Sequence, residues 1–180
     1  VAYRYLGGKS HRRIRSIEYS RTCETQCIKV SHPSSLYITD NFIPTHNTTA
    51  ALQTAGLAQQ AILEEGSDDI ILYMDYECAL DESYAKSLGL DVHDESFALI
   101  RPEDFETGAN IARDLINSGK VRLLVWDSVA AAIPSSVFTD EVGKAAVAPL
   151  ARLMSQFLGM LNPILLKTDT SAIFINHVHN

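Results

Sequence analysis

His46-Asn47-Thr48-Thr49 places three kinds of reactive side chain in four consecutive positions. An asparagine amide can attack its own main-chain carbonyl and close a succinimide, which breaks the chain on its carboxyl side; Asn47 has that position. The step is slow unless a donor polarises the scissile carbonyl or protonates the leaving amine, and the imidazole of His46 can do either. Thr48 then supplies a hydroxyl able to carry an upstream acyl group as an ester before a final acyl shift. The same hydroxyls admit a second chemistry. A Thr-Thr pair opening an apolar helix (Thr48, Thr49, Ala50, Ala51, Leu52, Gln53) is how a phosphate-binding loop ends: backbone N–H groups face the anion and the first hydroxyl ligates Mg²⁺. The glycines and lysine of such a loop do not precede Thr48; His-Asn stands in their place. Taken alone, His-Asn-Thr more often marks a turn than a reactive junction, so the surrounding elements must decide.

Those elements change character at the seam. Upstream, Arg12–Tyr19, Cys27–Val30 and Leu36–Thr39 read as short strands separated by turns near Ser20–Thr22 and Ser31–Ser35, and Asp40-Asn41 turns the chain again before Phe42–Asn47. Downstream, apolar residues at 51, 52, 55, 58, 61, 62 and 63 predict a helix that ends at Gly66. Short apolar strands follow at 70–74, 98–100, 121–126 and 172–176, alternating with helices at 79–88, 107–118 and 149–161. Strands buried on both faces and separated by helices imply a mainly parallel sheet with crossovers. Asp75 and Glu77 close the first of these strands, and Asp127 closes Val121–Trp126, where an acid can hold a metal's water shell. A strand-terminal aspartate often only caps the next turn. Acids at the ends of two buried strands, both after a Thr-Thr helix, favour a site.

Charge divides the chain at the same point. Residues 1–47 hold seven Lys/Arg against three Asp/Glu, and residues 48–180 hold eight against nineteen. The basic first part still contains Ile14, Ile17, Ile28, Val30, Tyr37, Phe42 and Ile43, enough apolar side chains for a strand-rich core. Three cysteines at 23, 27 and 78 do not make a disulfide framework in a chain of this size, so a reducing compartment is expected. With no apolar run of the ~18 residues a membrane span needs and no amino-terminal signal pattern, the expectation is a cytoplasmic protein with no membrane partner.

The stretch Cys27-Ile28-Lys29-Val30, then Leu36-Tyr37-Ile38-Thr39-Asp40-Asn41-Phe42-Ile43-Pro44-Thr45-His46-Asn47, resembles the last two characteristic blocks of inteins. The resemblance covers about residues 12–47 and implies a β-rich, Hint-type C-terminal fragment, whose complementary N-terminal intein part, with upstream host sequence, lies on another polypeptide or elsewhere in a longer one. It assigns His46, Asn47 and Thr48 to splicing. Cys27 stands where most inteins place an aspartate. In inteins resembling the class without an amino-terminal nucleophile, such a cysteine attacks the upstream junction. The alternative, a small buried residue, stays open. Cys23 and Cys27, without a second pair, are poor zinc ligands. The basic balance agrees with capture of an acidic partner, as in a split intein.

After the seam, Met74-Asp75-Tyr76-Glu77-Cys78-Ala79-Leu80-Asp81, Ser83–Gly89, Trp126-Asp127-Ser128-Val129-Ala130-Ala131 and Leu150–Gln156 look like successive motifs of the RecA recombinase family, in its order and approximate spacing. The resemblance implies a partial α/β P-loop core over residues 48–180. It implies ATP and Mg²⁺ as cofactors, with Thr48 and Asp127 at the metal and Thr49 at the phosphates. Glu77 falls on the carboxylate that activates the attacking water, Asp81 and Tyr84 on adenine-contacting positions, and His177 on a γ-phosphate sensor position that resembles UvsX-type phage relatives. Single-stranded DNA and a homo-oligomeric filament follow from the resemblance alone, with a first DNA-binding loop around Ile133–Gly143. No basic stripe or aromatic ladder in the sequence points to DNA.

The expectation is therefore an intein C-terminal fragment, residues 1–47, inserted inside the Walker loop of a RecA/UvsX-like recombinase whose downstream sequence is residues 48–180. Two rivals stand beside it: a P-loop ATPase of another class, such as a replicative helicase, and a non-splicing β-module fused to a nucleotide-binding remnant.

Overall fold

Four parallel strands carry the architecture of the computed structural model, which describes residues 37–39, 43–45, 47–139 and 147–176. Two short strands, β1 (Tyr37–Thr39) and β2 (Ile43–Thr45), pair antiparallel with Tyr37 opposite Thr45, a two-stranded sheet of their own. The strands expected at 12–19 and 27–30 lie outside the described residues. Then come α1 (Asn47–Glu65), β3 (Ile70–Asp75), α2 (Glu82–Ser87), β4 (Phe97–Ile100), α3 (Phe105–Asn117), β5 (Val121–Asp127), α4 (Ser135–Thr139), α5 (Val147–Thr168) and β6 (Ser171–Phe174). The parallel sheet has the order β4-β3-β5-β6.

Helices cover both faces of this sheet, and the period of two along each strand sorts the side chains between them. Ile71 and Tyr73 of β3 and Leu123 and Val125 of β5 pack with Leu52, Ala55 and Ile62 of α1. Their neighbours Leu72, Met74, Leu124 and Trp126 face Phe105, Ala112 and Ile116 of α3 and Met154, Phe157 and Leu161 of α5. Trp126 lies at the centre of that second layer, 4.8 Å from the Tyr76 ring and 5.3 Å from Phe157. These aromatic side chains each bring a large apolar surface into that layer.

Element ends show where local chemistry overrode the sequence expectations. The helix expected at 79–88 starts only at Glu82, because the Asp81 carboxylate accepts the Tyr84 N–H at 2.9 Å and caps it. The helix expected to stop at Leu161 continues through Pro163 to Thr168. Proline removes one intrahelical donor, the partner of the Gly159 carbonyl, but Gly159 and Pro163 are both exposed and water can satisfy that oxygen. The helix ends where the Thr168 hydroxyl returns to the Ile164 carbonyl and Asp169 turns to φ 53°. Asn47 is the first residue of α1 rather than the last of the preceding strand, so the peptide between Asn47 and Thr48 lies in the helix's first turn.

Candidate functional site

Two neighbouring parallel strands end side by side, with Asp75 of β3 in register with Asp127 of β5. This carboxyl edge of a parallel sheet is where ligands bind in open α/β folds. Both acids are almost fully buried, at 2% and 5% exposed. Their partners differ. Asp75 accepts from the backbone N–H groups of Ala79 and Leu80 and from Arg101 Nε, at 3.2, 3.4 and 3.2 Å, and so folds the following loop over itself. Cys78 in that loop sits at φ 52°, a left-handed conformation that non-glycine residues enter at a cost. The turn it makes leaves Glu77 exposed beside the buried acids.

Asp127 is held differently. Tyr73 donates its hydroxyl to Asp127 Oδ2 at 2.7 Å from inside the core, and Thr48, at the start of α1, lies near enough to the same carboxyl group to lower its pKa. Oδ1 is buried with no hydrogen-bond partner. Burial is the main influence on this carboxyl and raises its pKa; the Tyr73 bond opposes it, Glu77 raises it further, and Thr48 opposes and Asp75 adds smaller effects. Burial and the Asp127 charge likewise push the Tyr73 phenol far up, so it stays a donor. Glu77 Oε1 accepts the hydroxyl of Ser128, a residue with no exposed surface, at 2.6 Å. The peptide between Asp127 and Ser128 is cis.

A second link ties the helix start to α2. Thr49 Oγ1 and the Tyr84 hydroxyl are 2.8 Å apart, and Tyr84, 44% exposed, reaches across rather than lying on its own helix. Asp81 is adjacent through its cap on the Tyr84 N–H. The structure thus brings together Thr48, Asp127 and Glu77 in one group and Thr49, Tyr84 and Asp81 in another, both at the amino end of α1. Cys27, His46 and His177 lie outside the described residues, as does the side chain of Asn47. Part of the expected first DNA loop is a short helix, α4, with Phe138 exposed on it and Ile133 exposed just before it; the Ser135 hydroxyl donates to Glu106 Oε1 at 3.0 Å. Tyr73 and Ser128 were missed as site residues. A tyrosine inside an apolar strand was the available signal, since a buried phenol needs a partner.

The residues present fit one side of a Mg²⁺–phosphate site. Mg²⁺ is commonly held by one or two protein oxygens together with water and substrate phosphates. A buried carboxylate oxygen without a partner next to a threonine hydroxyl at a helix start offers that. No cluster of three or more His, Cys, Asp or Glu able to hold a metal by itself occurs among the described residues. The Gly-rich turn and lysine that would complete a phosphate cradle do not precede Thr48 in this sequence.

Comparison with known proteins decides the family, because the sequence matches the RecA N-terminal domain over residues 38–180. The chain belongs to the RecA family. RecA from Aquifex aeolicus (strain VF5) is 41% identical over 131 residues, which are 73% of this chain and 36% of that protein. RecA from Lactobacillus acidophilus is 45% identical over 106 residues, 59% of this chain and 29% of that protein. The chain thus spans well under half the length of these curated relatives. The crystal structure of the RadB recombinase matches with a TM-score of 0.50 at 24% identity, over 74% of this chain and 56% of that one, and shows the same fold. The parallel α/β core is therefore RecA-like. The family match includes the ten residues before Thr48 and draws no boundary at the seam. No helix among the described residues is long and apolar enough to cross a membrane.

Proposed function

We propose that this chain is a protein-splicing precursor segment: residues 1–47 are the C-terminal part of an intein, and residues 48–180 belong to the host it interrupts, an ATP-dependent, single-stranded-DNA-binding recombinase of homologous recombination and DNA repair. The observation that carries this reading is the junction itself. A RecA-like helix starts at Asn47, its Thr48 lies close enough to the strand-end Asp127 to lower that carboxyl's pKa, and the residues in front are His46-Asn47 where a phosphate loop would have Gly-Lys. A complementary N-terminal intein part would supply the rest of the splicing fold and bring the upstream host sequence.

In splicing, the Asn47 amide attacks its own carbonyl, the Thr48 nitrogen leaves, and His46 donates the proton that nitrogen needs. Thr48 carries the upstream host segment as an ester until its freed amine attacks that ester and makes the peptide bond. Cys27 is the candidate for first attack at the upstream junction. In the joined host the same Thr48, with Asp127, would hold Mg²⁺; the ion supplies positive charge against the developing charge on ATP's terminal phosphate. In the joined host Thr49 and the helix start would bind phosphate, Tyr84 and Asp81 would contact the base, and the family resemblance gives His177 the γ-phosphate sensor role. Glu77 accepts a proton from the attacking water. DNA binding and filament assembly rest on family membership; a cytoplasmic location rests on the sequence's cysteine usage and the lack of a signal or membrane-span pattern.

The test is Asn47→Ala in the chain combined with its N-terminal intein part. The account expects no excised intein and no joined host by mass spectrometry, with His46→Ala slowing the step ~10²–10⁴-fold. Joined product from Asn47→Ala would refute the splicing assignment.

A further inference from the structure

Tyr84 stands on the six-residue helix α2 with 44% of its surface open, yet its hydroxyl lies 2.8 Å from Thr49 Oγ1, across 35 residues of sequence. Solvent could satisfy either group. Thr49 is half-buried in the first turn of α1, and water serves a hydroxyl in such a place nearly as well as a phenol does. Hydroxyls on this molecule that need only a partner turn back to nearby backbone, as Thr54 does to the Ala50 carbonyl and Ser87 to the Tyr84 carbonyl. What the long bond adds is a second anchor for the ring. The first anchor is the main chain: the Tyr84 N–H donates to the Asp81 cap at 2.9 Å, and its carbonyl accepts from Ser87 Oγ at 2.7 Å and from Leu88 N at 3.2 Å. A tyrosine turns about two side-chain torsions, so holding it at Cα and at the phenol tip restricts both. The open surface is more than a hydroxyl alone can supply, so part of the ring stays available to a flat ligand.

We propose that the Thr49 side chain is the positioning residue for the Tyr84 ring: Oγ1 holds the ring as a platform for the base of an adenine nucleotide, and phosphate is left to the main-chain N–H groups at the start of α1. The inference rests on the reading of that helix start as the phosphate site and of Tyr84 as a base contact. It makes the Thr49 hydroxyl a determinant of preference for a nucleotide over a bare polyphosphate, because a ring already ordered does not have to be immobilised when the base arrives.

Two measurements test it. In the 180-residue chain as it stands, aromatic ¹³C relaxation reports the order of the ring at position 84. Thr49→Val, which keeps the shape and removes the hydroxyl, should lower that order, while Thr49→Ser should retain it. Tyr84→Phe breaks the same bond from the ring's side and should show the same loss, which keeps the test intact if Thr49→Val does not fold. A ring as well ordered as in the parent chain, in either folded variant, would overturn the proposal. In the assembled host, calorimetric titration with ATP and with inorganic tripolyphosphate separates base from phosphate. Thr49→Val and Tyr84→Phe should each lower the preference for ATP over tripolyphosphate roughly two- to tenfold, and the two together should lower it little more than either alone. An unchanged preference in Thr49→Val, with ATP and tripolyphosphate weakened equally, would show that the hydroxyl serves phosphate itself and overturn the proposal, as would full additivity of the two substitutions. If Tyr84→Ala leaves the preference for ATP intact, the reading of Tyr84 as a base contact falls instead, while the relaxation result still decides whether Thr49 holds the ring.

Discussion

Tyr73→Phe removes one oxygen from the core and leaves every ring contact in place, which isolates the bond to Asp127. Tyr73 is 1% exposed and Asp127 5%, so no bulk water can replace the lost donor. A hydrogen bond to a charged group contributes about 1.5–3 kcal/mol net, and one to a neutral group about 0.5–1.5 kcal/mol. At neutral pH the substitution should therefore destabilise the fold by about 2 kcal/mol. The pH dependence follows from Asp127. Burial raises its folded pKa above the ordinary 3.8, so the folded chain holds that proton more tightly than the unfolded chain. The stability this confers is complete below the unfolded value and is lost as pH rises through the folded one. Losing the Tyr73 donor raises the folded pKa further, since that bond lowers it. The penalty should then be largest at neutral pH and fall to about 1 kcal/mol once Asp127 is protonated. Urea unfolding of both chains at neutral and mildly acidic pH, followed by Trp126 fluorescence, measures it. A penalty that stays constant or grows on acidification would refute the assignment of Tyr73 as donor to an ionised Asp127.

Gly108→Ala should destabilise the chain by about 1–3 kcal/mol, because the new methyl would lie 1.8 Å from the Tyr76 hydroxyl and 2.9 Å from Pro102 Cγ; thermal unfolding checks it, and adding Tyr76→Phe should recover part of the loss. Asp104→Ala should cost about 1 kcal/mol by removing the acceptor for the Thr107 N–H, 2.7 Å away at the start of α3, and denaturant midpoints with an unchanged slope would show a capping effect rather than a changed unfolded state.

The parallel core was legible because apolar runs at 70–74 and 121–126 have the length and flanking acids of strands buried on both faces, and they became β3 and β5. The site's acids were legible for the same reason: a strand end in a parallel sheet is a fixed address. Side chains that act across the sequence were not. Tyr73 and Ser128 look like strand and turn residues until the sheet brings them to Asp127 and Glu77. Helix ends were missed where a local bond decides them: the Asp81 cap delays α2, and the exposed Gly159 carbonyl lets α5 run past Pro163. Thr49 and Tyr84 show the intermediate case. Family resemblance marked both, but only the folded helix start shows their hydroxyls 2.8 Å apart.

The central claim is that one hydroxyl, Thr48, serves first as splicing nucleophile and then beside Asp127 in the host's ATP site. The most direct measurement compares Thr48→Ala with Thr48→Ser in both settings: splicing by the chain with its N-terminal intein part, and DNA-stimulated ATP hydrolysis by the host expressed without interruption. The account predicts that Thr48→Ala abolishes joined product and ATP turnover alike, and that Thr48→Ser, which keeps an oxygen, retains part of each. ATP turnover near the wild-type rate in the Thr48→Ala host would contradict it, and so would joined product from the Thr48→Ala precursor.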